Sequence, residues 1–137
     1  MRKRFASLLC LGLMGGCIST YEDVSKTPEF SDRVGQICTI SIPLIAHGIS
    51  KELGSAKKTD YFSITSRPGF NGPEVTSRET VPAGSTLTIV GAKRCTNCLR
   101  TDVKYLVTTS ALPALRAREA LAPAEVLTAG TSSCRKT

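Results

Sequence analysis

The chain has no tryptophan and a single histidine, His47. With only four Phe and three Tyr among 137 residues, it is poorly supplied with stacking platforms for sugars or aromatic grooves for peptides. His47 has no metal-ligand companion at i+3 or i+4, and a hydrolase triad would have to be assembled around it alone. Within Ala46-His47-Gly48 it reads as a strand-end or turn residue whose removal should change stability little. No glycine-rich loop is built to cradle phosphate. Glu74 and Glu79 flank no general-acid pattern. No motif calls for a cofactor or a metal, and no catalytic residue is assigned. Long apolar runs are also missing. The longest, Phe5 to Met14, falls well short of the roughly 20 residues that span a bilayer.

What is present begins at the N-terminus. Met1-Arg-Lys-Arg4 carries three positive charges and no acid. The short apolar run and the small pair Gly15-Gly16 follow, and then Cys17. A charged start, an apolar stretch and a small-residue cleavage site form an export signal. A cysteine directly after the small pair resembles the lipobox of bacterial lipoproteins. That resemblance implies cleavage after residue 16 and lipidation of Cys17 with a diacylglyceryl thioether and an N-acyl chain. More than one acyl chain anchors stably where a single chain does not. Met14 stands where the family usually has Leu. Ile18 follows the cysteine in place of Asp, which by the same resemblance favours the outer membrane over the inner.

Without residues 1–16 the chain has 121 residues (137 − 16), enough for one small core and not for two. The full chain carries 18 basic and 11 acidic side chains. Three of the basic ones lie in the signal, so the remaining balance is 15 − 11, or +4. So mild an excess does not announce a nucleic-acid binder, and no nucleic acid is expected as partner. Of six cysteines, Cys10 belongs to the signal and Cys17 to the anchor. Cys38, Cys95, Cys98 and Cys134 remain, and in an oxidising compartment an even number reads as two disulfides. Four cysteines allow three connectivities. Cys95 and Cys98 sit at i and i+3 of a turn, which is within bridging distance. Cys38–Cys134 then follows by elimination.

Residues 17–33 are polar and aperiodic, and read as a flexible membrane tether. Residues 34–137 read as one β-rich domain with a disulfide-pinned tail. Residues 37–42 alternate apolar and polar and form a half-buried strand, closed by Pro43. Tyr61–Thr65, Thr86–Val90 and Val103–Val107 are three more strands. Gly48 and Gly54 read as flanking a loop. The segment 67–73 and Pro82-Ala-Gly84 have turn chemistry. Leu112, Leu115, Arg116, Glu119 and Ala120 suit one short helix ended by Pro123, and residues 125–128 read as a last strand.

Short strands, Gly/Pro turns and one small C-terminal helix give a mainly β class, a small barrel or sandwich. Residues 81–90, a turn followed by an alternating strand, resemble the strand entry of bacterial SH3-like barrels. That resemblance assigns no binding residue. The expected role is a lipid-anchored cell-envelope component that binds a protein partner or a cell-wall ligand. The alternative is a periplasm-facing thiol redox protein, or another envelope enzyme, using the Cys95/Cys98 pair. A redox site needs its first thiol at a helix N-terminus, and this pair lies between strands. A four-cysteine zinc site normally draws on two close pairs, and one is present. Lys93, Arg94, Arg100 and Lys104 cluster about the same hairpin, either as a contact for an anionic surface or as a solvated rim.

Overall fold

The computed structural model describes residues 19–52, 58–115, 120–128 and 130–137. The signal at residues 1–16 and Cys17 lie outside them, as does Gly54. Nine strands form one mixed sheet: β1 (Tyr21–Asp23), β2 (Gln36–Ile40), β3 (Leu44–Ile49), β4 (Tyr61–Thr65), β5 (Val75–Val81), β6 (Thr86–Cys95), β7 (Val103–Thr108), β8 (Ala120–Pro123) and β9 (Ser132–Lys136). The order across the sheet is β5-β3-β4-β8-β7-β6-β2-β9, with β1 on the far half of β6. Only β4 and β8 run parallel.

The sheet must roll. β2 and β3 are separated by residues 41–43 alone, yet four strands stand between them in the sheet order. In a flat sheet that gap is about 24 Å. Three linking residues reach no further than about 14 Å. The same holds for β5 and β6, joined through residues 82–85. The two bends lie together: Ile40 N–H donates to Ser85 O at 2.9 Å and Gly84 N–H to Ile40 O at 2.8 Å.

The rolled sheet encloses one core. Alternation turns Cys38 and Ile40 of β2, Phe62 and Ile64 of β4, Leu87 and Ile89 of β6, and Tyr105 and Val107 of β7 inward. A bulge between Ile89 and Gly91 shifts the phase of β6. Ala92 thereby turns inward, and Gly91 lies against Ser25, where a Cβ would sit 3.0 Å from its Oγ. One end is plugged by α1 (Pro28–Ser31), whose Phe30 meets the Tyr105 ring edge-on at 6.3 Å.

Several segments differ from the sequence reading. Residues 20–33 are folded, not a free tether. β1 pairs with β6, and Val24 and Phe30 enter the core. So short a polar segment acquires order only from the strand it meets, which local composition does not report. Of the expected helix, Pro113–Leu115 form a 3-10 turn and Ala120 belongs to β8, while Arg116 and Glu119 lie outside the described residues. Residues 125–128, read as a last strand, instead form most of a second 3-10 turn, Ala124–Leu127, with Thr128 after it, and the last strand is β9. Gly48 lies inside β3, not in a loop.

Two disulfides fasten the fold. Cys38 and Cys134 face each other across β2 and β9 with Cα atoms 3.9 Å apart, and Cys95 joins Cys98 at the end of β6. The first spans 96 residues. By loop-closure entropy that contributes about 4–5 kcal/mol, and it holds the C-terminal edge strand.

Candidate functional site

Two places gather the residues that the sequence singles out. The first is the hairpin tip between β6 and β7. Cys95 is buried and Cys98 half-buried, and Cys95 N–H donates to Asp102 O at 2.8 Å. The N-terminal segment braces the loop. Thr20 N–H donates to Asn97 Oδ1 at 2.8 Å, Thr96 N–H donates to Thr20 O at 2.8 Å, and the two threonine hydroxyls meet. Leu99 projects from this tip fully exposed, at 107% of its reference area.

Two of the basic residues there are answered by acids, Arg94 by the folded N-terminal segment and Lys104 by the hairpin itself. Arg94 lies 3.1 Å from Glu29 and 4.0 Å from Glu22, with its guanidinium over the Phe30 ring. Lys104 lies 3.5 Å from Asp102 and sits over the Tyr21 ring, and Tyr21 donates to the same carboxylate. Burial alone would lower the Lys104 pKa. The Tyr21 hydroxyl and the Asp102 carboxylate outweigh it and hold the ammonium above its ordinary range. Arg100 is exposed. The expected patch is therefore an array of ion pairs, with Arg100 and Leu99 outermost.

The second place is His47. It sits mid-strand in β3, opposite Ser63 of β4 and Arg78 of β5. It belongs to the outer side of the sheet, yet its exposure is 0%. Residues 66–74 fold back over it. The Phe70 ring lies 4.2 Å away, Gly69 passes with φ +76°, and a Cβ there would fall 2.5 Å from Nε2. Arg78 fixes the loop by donating to Pro68 O at 2.8 Å and Asn71 Oδ1 at 2.6 Å. Nε2 is 3.2 Å from Thr65 Oγ1, and Nδ1 is buried without a hydrogen-bond partner among the described residues. Burial, and then the Arg78 charge, push the ring's pKa below its ordinary value. So His47 is a packed interior residue and not a strand-end or turn residue. Its truncation is expected to leave a cavity and cost stability, where the sequence reading expects little change.

Elsewhere the surface offers two shallow features. A groove of about 590 Å³ is bordered by Arg33, Ser41, Leu127, Thr128, Ser132 and Ser133. Arg33 donates to Leu127 O at 3.1 Å and stacks over Tyr105. A second, smaller hollow is lined by Thr86, Thr88, Thr108, Thr109 and Ser110.

The fold separates the two cysteine pairs. Cys38 lies opposite Leu87, near the start of β6, and Cys95 ends that strand, so about 26 Å of strand lies between them. A zinc site drawing on both pairs is ruled out by that distance. Among the described residues no group of three His, Cys, Asp or Glu is placed to hold a metal. Glu74 precedes β5, and Glu79 lies within it opposite Ala46. No helix follows Cys98 to stabilise a thiolate, because β7 comes next. Sequence reasoning missed Thr20, Asp102, Phe70 and Arg78. The turn chemistry of residues 67–73 marked a loop but not its burial of His47. Leu99, an apolar residue between cysteine and arginine in a polar loop, was a signal available in the sequence. Comparison with protein families, with curated proteins and with solved structures finds no match for this chain.

Proposed function

We propose that the protein is a lipid-anchored binding or structural component of a bacterial cell envelope. Cys17 carries the anchor, the outer membrane is the site, and an envelope protein or a cell-wall ligand is the partner. The observation that carries this reading is the N-terminal order of charged start, apolar run and Gly15-Gly16-Cys17. Two disulfides in so small a domain suit the oxidising compartment such a signal leads to. A binding role is favoured over catalysis because the one histidine is sealed under a loop and no substrate can reach it. The groove beside Arg33 supplies hydroxyls and a guanidinium for a polar partner.

Mass spectrometry of the mature protein tests the anchor. The expected N-terminal residue is an acylated Cys17, and Cys17→Ser should release the protein from membranes. An unmodified N-terminus elsewhere, or membrane attachment unchanged in the Ser variant, overturns the reading. Thiol counting under mild reductant tests the redox alternative. A pair that cycles opens readily, whereas a structural bridge resists.

A further inference from the structure

The structure brings the proposed anchor and one exposed apolar side chain to the same end of the molecule. Thr20 is hydrogen-bonded to Thr96 and Asn97 of the hairpin tip. Three peptide links separate Cys17 from Thr20, and they carry the chain no further than about 11 Å. A lipid on Cys17 therefore holds the tip close to the bilayer surface. Leu99 stands at that tip fully exposed, with Arg100 exposed beside it. Among the described residues the other exposed large hydrophobics, Ile42 and Val90, are only partly so, at 43% and 44%.

We infer that the Cys95–Cys98 hairpin tip is a second membrane contact, in which Leu99 enters the interfacial region and Arg100 meets lipid phosphates. The inference rests on the lipid-anchor reading. The occupant is a phospholipid surface and not a protein, because the anchor brings that surface within reach whatever else binds. A leucine beside an arginine suits the boundary, with the apolar side chain among the acyl carbons and the guanidinium at the headgroups. The disulfide and the Thr20 bonds keep the tip shaped, so Leu99 is presented by a fixed loop. The molecule then stands with β6 leading away from the membrane. Its start and the bends at residues 41–43 and 82–85 lie about 30 Å from the tip. Those bends, and Ser41 and Ser132 of the groove beside Arg33, are directed toward the envelope space.

The chain's lack of tryptophan makes a clean reporter available. Leu99→Trp is placed in the full-length lipidated protein and reconstituted into vesicles of phosphatidylethanolamine and phosphatidylglycerol. Ile42→Trp, at the distant bend, is the companion. The inference expects the indole emission of the Leu99→Trp protein to move to shorter wavelength on vesicles and to be quenched by acyl-brominated lipids, with the companion unaffected. Protein that floats with the vesicles while the indole at the tip still emits as in water overturns the contact and leaves the anchor standing. Quenching of both reporters, or of the companion alone, overturns the orientation. Protein that neither carries acyl groups on Cys17 nor floats overturns the anchor reading and, with it, this inference.

Discussion

Residues 66–74 fold back over the outer side of β3, while residues 96–102 project from the ends of β6 and β7. The first joins β4 to β5 across the intervening β3, the second joins the paired strands β6 and β7, and their stability comes from different sources. The first is held by packing: Phe70 on His47, Gly69 in close approach, and Arg78 reaching up from β5 to two acceptors. The second has no core beneath it and keeps its shape through the Cys95–Cys98 bridge and the hydrogen bonds of Thr20. The first loop buries the residue with the most conspicuous chemistry, and the second exposes a residue with none. Burial, more than residue type, decides which of them is available to a partner. His47 is a stability element, and Leu99 is on offer.

If packing holds the first loop, the largest effect comes from removing its space. Gly69→Ala adds a methyl at positive φ, within reach of Nε2 and of the Arg78 guanidinium. The backbone term is about 1–2 kcal/mol and overpacking adds a similar amount. Urea unfolding is expected to show a loss of about 2–4 kcal/mol, with the affinity for vesicles unchanged. A loss under about 0.5 kcal/mol, the scale of a neutral surface change, would mean that the loop rides freely over His47.

The sequence displayed those features that depend on alternation or on turn chemistry. β4 is visible from Phe62 and Ile64, and the start of β6 from Leu87 and Ile89, because one face of each is buried and the other is not. β3 escaped because His47 and Ile49 on its outer side are buried along with Leu44 and Ala46 within, so no period of two survives. β5, an edge strand rich in Thr, Ser, Arg and Glu, lacks an apolar face altogether. β1 and β9 are ordered by the strands they join, and that pairing lies 70 or more residues away. The basic cluster at the hairpin was legible, but the partners of Arg94, Glu22 and Glu29, sit in the segment that read as a tether. Long-range pairing reversed its meaning.

If a bridge holds the second loop, opening it has a smaller and more local effect. The ring closed by Cys95 and Cys98 is four residues long. Loop-closure entropy gives such a ring about 2 kcal/mol, less than half the figure for the Cys38–Cys134 span. Cys95→Ala/Cys98→Ala is expected to lower stability by about that amount while the Cys38–Cys134 bridge and the far-ultraviolet spectrum persist. Amide exchange should accelerate at Thr20, which donates to Asn97 in the loop, and at Thr96 of the loop, which donates to Thr20 O. A loss as large as that of Gly69→Ala, or unchanged exchange at Thr20, would erase the difference between the two loops.

The smallest effect separates the loops by pH. Burial and the Arg78 charge lower the pKa of His47 in the folded state, while in the unfolded chain it returns to about 6.5. Between those two values the unfolded chain binds the proton and the folded chain does not. The contribution of His47 to stability is therefore complete above about pH 6.5. It is lost progressively as pH falls from there toward the folded value, with a slope of at most one proton, about 1.4 kcal/mol per pH unit. His47→Gln keeps much of the side-chain volume and removes the titration. The difference in unfolding free energy between the parent protein and this variant is expected to shrink from about pH 7.5 to about pH 5.5. Subtracting the variant cancels the carboxylates, which titrate in both proteins. The hairpin tip has no histidine, so an environment-sensitive label on Leu99→Cys should report no change across the same range. A difference that stays flat with pH would mean that the loop does not seal His47, and one that grows on acidification would mean that the protonated ring finds a partner under Phe70.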